Sequence, residues 1–268
     1  MTTGALIFAF NNEQTDYVRM AAWSASNIRR HLGIPVAVVT DDVDNDVVKN
    51  NFDCVIAASA ESGGTRHFTD YAQSVTWHNA ARTNAYQLTP WEQTLVLDAD
   101  YVVASDRLKS LFNADCDFVC HKNAYDLSSG QPLDNLNSFG EYQFPMWWAT
   151  VMLFRRSNTA EYIFDAMQMI KQNWQHYRDL YSINNKTYRN DFALSIALGI
   201  VSGHTLQVDS IPWNLASTMP EHTVVELEQD YYQIEWNDSS KHRRYMGFAG
   251  TDMHVMGKHS LEKIVGSR

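Results

Sequence analysis

Two aspartates, Asp98 and Asp100, follow a run of apolar residues in the segment TLVLDADYVV. The apolar run predicts a buried strand, and charge at its end is costly unless it is paired or bound to a metal. Side chains two residues apart in an extended segment point the same way, so the two carboxylates should converge with Ala99 turned away. Two carboxylates that close repel each other unless one is protonated or a cation lies between them. Oxygen ligands of this kind favour Mg²⁺ or Mn²⁺, commonly together with substrate phosphates.

The Asp-x-Asp spacing by itself is a weak signal, because it also occurs on solvated turns. Asp115 and Asp117 show the same spacing elsewhere in this chain. The strand before Asp98 makes the first pair more significant, because ligands of open α/β sheets bind outside the carboxyl ends of the strands. The sequence therefore predicts a cation site at Asp98 and Asp100.

The elements that must position this site show an α/β pattern. Apolar runs at residues 4–10, 34–40 and 53–59 predict three strands, of which the first is buried and the third is short. Between the first two, apolar residues at helical spacing predict a helix over residues 16–31, and Gly33 follows where a terminating glycine belongs. Strands that alternate with helices predict a mixed, mostly parallel central sheet with helices on both faces.

Further elements flank the aspartate pair. Apolar positions predict a helix over residues 69–88, and a polar stretch over residues 125–142 predicts a loop, which at this length is often functional. The run WWATVMLFRR predicts another buried strand. Asn158 and Glu161 then predict a capping box at the start of the next helix.

The composition is that of a globular chain of 268 residues, 45% hydrophobic and 19% charged. Its net charge of -10 argues against a general nucleic-acid binder, which normally has a basic surface. The basic run KHRRY at residues 241–245 is most simply a solvated loop. Because the sequence has neither an internal repeat nor a Pro/Gly-rich linker, we expect one domain over residues 1–268.

Three cysteines without metal-type spacing indicate reduced thiols rather than a disulfide framework. The first apolar run lacks the features of a signal peptide, and no apolar run is long enough to span a bilayer. We therefore expect a protein without a membrane span that acts in the cytoplasm.

The segment LTPWEQTLVLDADYVV resembles the strand and Asp-x-Asp motif of GT-A-fold glycosyltransferases, in particular those of glycosyltransferase family 8. Near the end of the chain, MHVMGKHSLEK resembles the His-x-x-Gly-x-x-Lys segment of that family. The resemblance implies a GT-A, Rossmann-like fold and transfer of a hexosyl or pentosyl group from a nucleotide sugar. It further implies UDP as the nucleotide and Mn²⁺ or Mg²⁺ as the cofactor.

The resemblance also implies roles for the residues of these motifs. Asp98 and Asp100 would hold the metal, with His254 as the third protein ligand. Gly257 would let the backbone approach the diphosphate, and Lys258 would neutralise it. The family places this lysine later in the chain, so Lys263 is an alternative to Lys258.

Asn190 and Asp191 fall where the family has an Asp-Gln pair near the donor sugar, so they are the candidate catalytic residues. A carboxylate near the anomeric carbon acts as a base in an inverting reaction or stabilises the cationic sugar in a retaining one. The first loop would lie near the base and ribose, Tyr17 would stack, and Arg82 would reach the sugar or diphosphate. In addition to Asp98, Gly257 and Lys258, the donor-binding candidates are Phe10, Asn11, Asn12, Tyr17, Asp41, Arg82 and Ala99.

Simpler interpretations stand beside these roles. Asp191 could be a charge favoured by the helix dipole, His254 a core histidine, and Arg82 a surface residue. The tryptophans near the later strands could pack in the core or form a wall for a sugar: Trp147, Trp148 and Trp213.

The acceptor and the stereochemical outcome stay open, because WATVM replaces the family's Asn-x-Gly-Val segment. The acceptor classes considered are a glycan, a protein and a modified nucleic acid. A fainter resemblance to glycosyltransferase-like proteins of tailed phages makes a modified DNA base conceivable, although the acidic net charge speaks against it. Two other functions compete: a sugar nucleotidyltransferase, disfavoured because AFNNEQTDY has neither glycine nor a basic residue, and a non-catalytic nucleotide-binding or assembly protein.

Overall fold

The computed structural model describes residues 2–62, 64–68, 73–205, 207–228 and 230–266. The strands in these ranges are, in chain order, β1 (Thr3–Phe8), β2 (Val36–Thr40), β3 (Cys54–Ala57), β4 (Gly64–Phe68), β5 (Gln73–Trp77), β6 (Gln93–Leu97), β7 (Tyr101–Val102), β8 (Phe118–His121), β9 (Ala124–Asp126), β10 (Ser138–Phe139), β11 (Phe144–Pro145), β12 (Trp148–Arg155), β13 (Leu215–Ser217), β14 (Thr223–Glu228), β15 (Tyr231–Asn237), β16 (Arg243–Ala249) and β17 (Met253–His254).

The helices connect and cover these strands. The α-helices are α1 (Tyr17–Leu32), α2 (Asp46–Asn51), α3 (Ala85–Leu88), α4 (Asn158–Gln172), α5 (Trp174–Leu180), α6 (Asn190–Val201) and α7 (Lys258–Gly266). Short 3₁₀ helices span Ala80–Asn84, Arg107–Asn113 and Asp134–Leu136. In the described part of the chain, no helix has both the length and the apolar character needed to cross a bilayer.

The central sheet has the strand order β3-β2-β1-β6-β12-β8. Strands β3, β2, β1 and β6 pair in parallel, and β12 runs antiparallel to both of its neighbours. The sheet is thus mixed and mostly parallel, as predicted. Strands β1, β2 and β6 are buried along almost their whole length because helices cover both faces of the sheet.

Alternate residues of the central strands pack into two separate cores. Leu6 and Val96 pack on the face covered by α4 and α6, whereas Ile7, Leu95 and Leu97 pack on the face covered by α1. This alternation follows from the two-residue period of a strand. The predicted arrangement of helices on both faces is confirmed.

Helix α1 shows why the early part of the chain was readable from its sequence. The side chain of Asp16 accepts a hydrogen bond from the N–H of Arg19 at 2.9 Å, which satisfies a donor that the helix leaves open. At the other end Gly33 adopts φ = 70°, a left-handed conformation that glycine tolerates best. The predicted helix and its terminating glycine are both present.

The predicted helix over residues 69–88 is wrong. Residues 69–72 lie outside the described part, but Gln73–Trp77 forms β5, which pairs antiparallel with β4. Helical structure begins only at Ala80–Asn84 and continues into α3. The apolar spacing suited a helix, but pairing with β4 satisfies the backbone of this segment as a hairpin instead.

The predicted capping box also needs correction. Ser157, not Asn158, caps α4, because its extended backbone lets the side chain accept a hydrogen bond from the N–H of Ala160 at 3.2 Å. Beyond α4 the chain continues into α5, and the two helices meet at Asn173. Helix α2, between β2 and β3, was not predicted, because six residues show too little periodicity.

Smaller sheets flank the central one. A sheet of order β7-β17-β13-β9 pairs His254 with Tyr101, and the N–H of Val255 donates to the carbonyl of Asp100 at 3.0 Å. This short pairing brings the C-terminal segment to the end of β6. Strands β14, β15 and β16 form an antiparallel sheet, in which Arg243 and Arg244 of the basic run are exposed. They form ion pairs with acidic residues of the same sheet and its turn.

Candidate active site

Asp98 and Asp100 lie just beyond the carboxyl end of β6, at the centre of the sheet. Strand β6 pairs with β1, whose chain continues through α1 to β2 on the other side, so this is a point where strand order reverses. Crevices at such points are the usual ligand sites of open α/β sheets. The placement agrees with the one predicted from the apolar strand.

The two carboxylates converge through a turn rather than through an extended segment. The N–H of Tyr101 donates to the carbonyl of Asp98 at 3.1 Å, which closes this turn, and the N–H of Asp98 is bound to Thr150. Ala99 is buried in the apolar cluster on the α1 face of the sheet, and it also borders a narrow cavity that both aspartates line.

The structure brings His254 to the aspartate pair. One potential ligand atom from each of Asp98, Asp100 and His254 lies within 4.8 Å of the other two. Nδ1 of His254 lies 3.3 Å from the hydroxyl of Ser217, which fixes the ring and leaves Nε2 directed at Asp100, 3.8 Å away. Two carboxylates and one imidazole held by an outer partner form a donor set that suits Mn²⁺ or Mg²⁺.

The ionisation state of His254 also suits a metal ligand. Burial lowers the pKa of His254, and the nearby Asp100 carboxylate opposes this shift without cancelling it. A ring that stays neutral keeps a lone pair for a metal, whereas an imidazolium would have none. The residues present therefore fit a divalent cation.

Arg82 is buried beside the first aspartate. Its Nη2 contacts the Asp98 carboxylate, and its Nη1 donates to the carbonyl of Ala149 at 3.1 Å. Burial lowers the pKa of Arg82, and the carboxylates of Asp191 and Asp100 oppose that shift. Arg82 is therefore not a surface residue but a buried cation that orients Asp98.

Lys258 neutralises the second aspartate. Its Nζ lies 2.7 Å from Oδ2 of Asp100, whose side chain is only 2% exposed. At this distance the ammonium and the carboxylate form a close ion pair. Burial disfavours the charged form of Asp100, but Lys258 and His254 together hold the pKa of this carboxyl below its ordinary value.

A narrow cavity of about 20 Å³ opens beside the aspartates. Tyr17 and Trp77 line it with their rings 6.1 Å apart at 84°, and Nζ of Lys258 lies 3.9 Å from the ring centre of Trp77. Phe10, predicted near a nucleotide base, lines the same cavity. Aromatic side chains with a few polar groups are a common lining of ligand pockets, and with Lys258 in this position the cavity has room for about one water molecule.

A second, larger cavity of about 310 Å³ adjoins the first. Arg82, Asp98 and Lys258 line both cavities, while His254 and Asp191 line only the larger one among the described residues. The charged side chains of the two cavities balance, three cations against three carboxylates. These six residues are Arg82, Arg189, Lys258, Asp98, Asp100 and Asp191.

Asp191 and Asn190 stand at the start of α6, on the wall of the larger cavity. Asp191 accepts a hydrogen bond from the N–H of Ala149 at 3.0 Å on Oδ1 and another from Arg189 at 2.9 Å on Oδ2. Asn190 uses its side chain to join Tyr188 and the carbonyl of Asn79. Asp191 is therefore a fixed carboxylate at the cavity, whereas the amide of Asn190 links the elements around it.

Other predicted residues lie apart from the two cavities. Asn11 and Asn12 accept hydrogen bonds from backbone N–H groups between residues 14 and 18, so they shape the loop before α1. Asp41 and Lys263 are exposed and are not among the described residues that line either cavity. Of the two lysines considered for the diphosphate, Lys258 is the one in the cavities.

Gly257 supports the site through close packing rather than by lining it. A Cβ atom at this position would lie 2.5 Å from the carbonyl oxygen of His222 and 3.2 Å from that of Pro220. Glycine therefore lets the chain pass close to this backbone immediately before α7 and Lys258.

We expect the substitution Gly257→Ala to destabilise the protein by about 1–3 kcal/mol, because a methyl group must displace rigid backbone. Chemical denaturation measures this change. Gly266→Ala, at the other end of α7, is the matched control, since its Cβ would meet only an Arg19 side-chain atom at 3.9 Å. Equal unfolding free energies for the two variants would contradict the packing role of Gly257.

Several residues of the cavities were not found from the sequence. Trp77 and Asn79 both lie in the segment 69–88, which was predicted as a helix. Pro220 and Met256 come from loops whose positions depend on long-range packing. Arg189 alone had a usable signal, because it directly precedes the candidate pair Asn190 and Asp191. Trp148, considered as core or sugar wall, is buried and also lines the larger cavity.

Solved structures similar to this chain include three glycosyltransferases. GlyE of Streptococcus pneumoniae TIGR4 is 15% identical, with a TM-score of 0.43 over 79% of this chain and 46% of the GlyE chain. The galactosyltransferase LgtC, in complex with donor and acceptor sugar analogues, is 13% identical, with a TM-score of 0.44 over 73% of this chain and 70% of its own. Mouse xyloside xylosyltransferase 1 is 13% identical, with a TM-score of 0.42 over 76% of this chain and 83% of its own.

This chain thus spans less than half the length of GlyE. No family model matches it, and no curated protein sequence matches it. Membership of glycosyltransferase family 8 therefore stays a prediction from the two motifs.

Proposed function

We propose that this protein is a metal-dependent glycosyltransferase of the GT-A type, which transfers a hexosyl or pentosyl group from a nucleotide sugar, with UDP as the expected nucleotide. The observation that carries the proposal is the convergence of Asp98, Asp100 and His254 where the two cavities meet. Asp100 lines the narrow cavity, His254 the larger one, and Asp98 both. A cation held there would contact groups bound in either cavity.

The charges of the site support a cation together with a diphosphate. The side chains lining the cavities are balanced, so a divalent ion alone would leave an excess of two positive charges. A sugar-linked diphosphate carries about two negative charges at neutral pH, which restores the balance. The metal–phosphate pairing is common where one or two carboxylates hold Mg²⁺.

In the proposed reaction, the bond between the anomeric carbon and a diphosphate oxygen breaks through an oxocarbenium-like state. The acceptor oxygen forms the new bond to that carbon, and its proton passes to the Asp191 carboxylate in an inverting reaction or to the departing diphosphate oxygen in a retaining one. When bound, the divalent ion supplies positive charge for the departing diphosphate. Lys258 would move its ammonium from Asp100 to the phosphate oxygens, and Arg82 would hold Asp98 in place.

Asp191 is the proposed partner of the cationic sugar. Both of its oxygens accept hydrogen bonds, from Ala149 and Arg189, so the carboxylate has a fixed direction at the wall of the larger cavity. Preorganised charge of this kind stabilises a transition state without rearrangement. Tyr17 and Trp77 are the proposed contacts of the nucleoside, and a hydroxyl of a glycan, a protein or a modified nucleic acid is the proposed acceptor.

A thermal-shift panel tests this proposal. UDP, GDP, UDP-glucose and UDP-galactose are each added with Mn²⁺, with Mg²⁺ or with a chelator. We expect a nucleotide and a metal together to raise the melting temperature by about 5–10 °C at a hundredfold excess over the dissociation constant. Each component alone should give a much smaller shift.

The outcomes of this panel separate the competing functions. A shift with metal and UDP-sugar, followed by metal-dependent release of UDP, supports the glycosyltransferase. Pyrophosphate release from a nucleoside triphosphate and a sugar phosphate would point to a nucleotidyltransferase. Stabilisation by nucleotide without any turnover would point to a binding protein, and no stabilisation by any combination would contradict the proposal.

A further inference from the structure

Lys258 occupies the space that a cation and a nucleotide would both need. Its ammonium lies 2.7 Å from Oδ2 of Asp100, one of the three clustered groups. It also lies 3.9 Å from the ring centre of Trp77 and 5.5 Å from that of Tyr17. One side chain thus contacts the candidate metal ligands and both aromatic walls of the narrow cavity.

The position of Lys258 explains why the narrow cavity is so small. About 20 Å³ is roughly room for one water molecule, not for a nucleoside. The side chain of Lys258 is 16% exposed, and its flexible stem can turn toward the adjoining larger cavity, which it also lines. Movement of this single side chain would enlarge the cavity between Tyr17 and Trp77.

The electrostatics of Asp100 point the same way. This buried carboxylate needs a positive neighbour, since an unpaired buried charge is strongly destabilising. Lys258 meets that need from the first residue of α7, and Nε2 of His254 lies 3.8 Å from the same carboxylate. A divalent ion on the same carboxylate would repel the ammonium, so the two cations compete for Asp100.

We infer that Lys258 is a tethered counter-ion that competes with the metal and closes the nucleotide side of the site until metal and diphosphate arrive together. This inference rests on the proposed function and adds a specific energetic role for one residue. A diphosphate draws Lys258 away from Asp100 and so strengthens metal binding. Metal and nucleotide are therefore positively coupled through this side chain.

The test is a titration of the whole protein with Mn²⁺ in the absence of nucleotide, in which electron paramagnetic resonance measures the concentration of free ion. The variant Lys258→Met should bind Mn²⁺ about tenfold more tightly than the unsubstituted protein, because the competing charge is gone. Lys258→Gln provides a second variant with a polar end. Lys263→Met, an exposed lysine of the same helix, is the matched control and should leave Mn²⁺ affinity unchanged.

A second titration in the presence of saturating UDP measures the coupling. UDP should increase Mn²⁺ affinity in the unsubstituted protein, and this increase should be smaller by about tenfold in Lys258→Met. As an independent readout, Mg²⁺ should change the fluorescence of Trp77, because the ammonium of Lys258 moves away from its ring. The emission of Trp77 is identified as the part that is lost in the variant Trp77→Phe. The same change should be absent from Lys258→Met.

The outcomes distinguish this inference from the proposed function. Equal or weaker Mn²⁺ binding by both Lys258 variants, in a protein that binds Mn²⁺ and UDP, would overturn the inference and leave the function standing. If neither the unsubstituted protein nor any variant bound Mn²⁺, the proposed metal site would be contradicted, and the inference would fail with it.

Discussion

Replacing both Asp98 and Asp100 with asparagine is expected to lower the rate of sugar transfer by at least about a thousandfold. Two carboxylates would be lost from the cluster that includes His254, so the diphosphate would depart without the positive charge that the metal supplies. Asparagine keeps the size of each side chain and removes only its charge. Release of UDP from a UDP-sugar measures the rate, and calorimetric titration with Mn²⁺ measures the loss of metal binding.

The same chain offers a matched control for this double substitution. Asp115 and Asp117 have the same spacing but precede β8, away from the cluster, and Asp115 is fully exposed. The variant with asparagine at both of these positions should retain Mn²⁺ binding and full activity. If the two double variants lost activity equally, the special role of the first pair would be refuted.

Arg82→Met is expected to lower the free energy of unfolding by about 3 kcal/mol when no metal is present. Arg82 is buried, and its removal leaves the mostly buried Asp98 without the cation that contacts it. It also leaves the carbonyl of Ala149 without its donor. Urea unfolding, followed by circular dichroism, measures this loss.

Addition of Mn²⁺ should recover part of the stability lost in Arg82→Met, because a bound cation takes over the neutralisation of Asp98. Arg29→Met is the control: Arg29 pairs with Asp53 at the surface, where an ion pair contributes about 1 kcal/mol or less. Mn²⁺ should not affect that variant differently from the unsubstituted protein. A loss for Arg82→Met no larger than that for Arg29→Met would show that the buried pair is not a stabilising contact.

The fold class was predictable because strong local signals and the global arrangement agree. Strands β1, β2 and β6 each contain a run of apolar residues and are buried along almost their whole length, as expected for strands covered on both faces. Asp16 and Gly33 mark the two ends of α1 through local hydrogen bonds and a local conformation. Such features depend on neighbouring residues and therefore survive without knowledge of the rest of the chain.

Predictions failed where long-range pairing outweighed local pattern. Residues of β5 had apolar spacing compatible with a helix, but they pair with β4. The two aspartates were expected to converge along an extended segment, but the chain turns at this point, and the N–H of Tyr101 donates to the carbonyl of Asp98. In both cases the hydrogen bonds of the folded backbone, not the side-chain pattern, decide the conformation.

The candidate site shows the same difference between features set by local sequence and features set by long-range packing. The sequence by itself determined that Asp98 and Asp100 end a buried strand, and that charge there requires a positive partner, since burial penalises an unpaired carboxylate. Only the tertiary structure decided what surrounds them. Pairing of β17 with β7 brings in His254 across the chain, and the start of α7 places Lys258 on Asp100.

The tertiary structure also decided that Arg82 is buried against Asp98, where the sequence analysis left a surface position open, and it added Trp77 to the narrow cavity. These contacts join residues far apart in the chain, and their geometry depends on long-range packing. Strand, charge and turn are properties of short segments, whereas a cluster of two carboxylates and an imidazole between two cavities is a property of the folded chain.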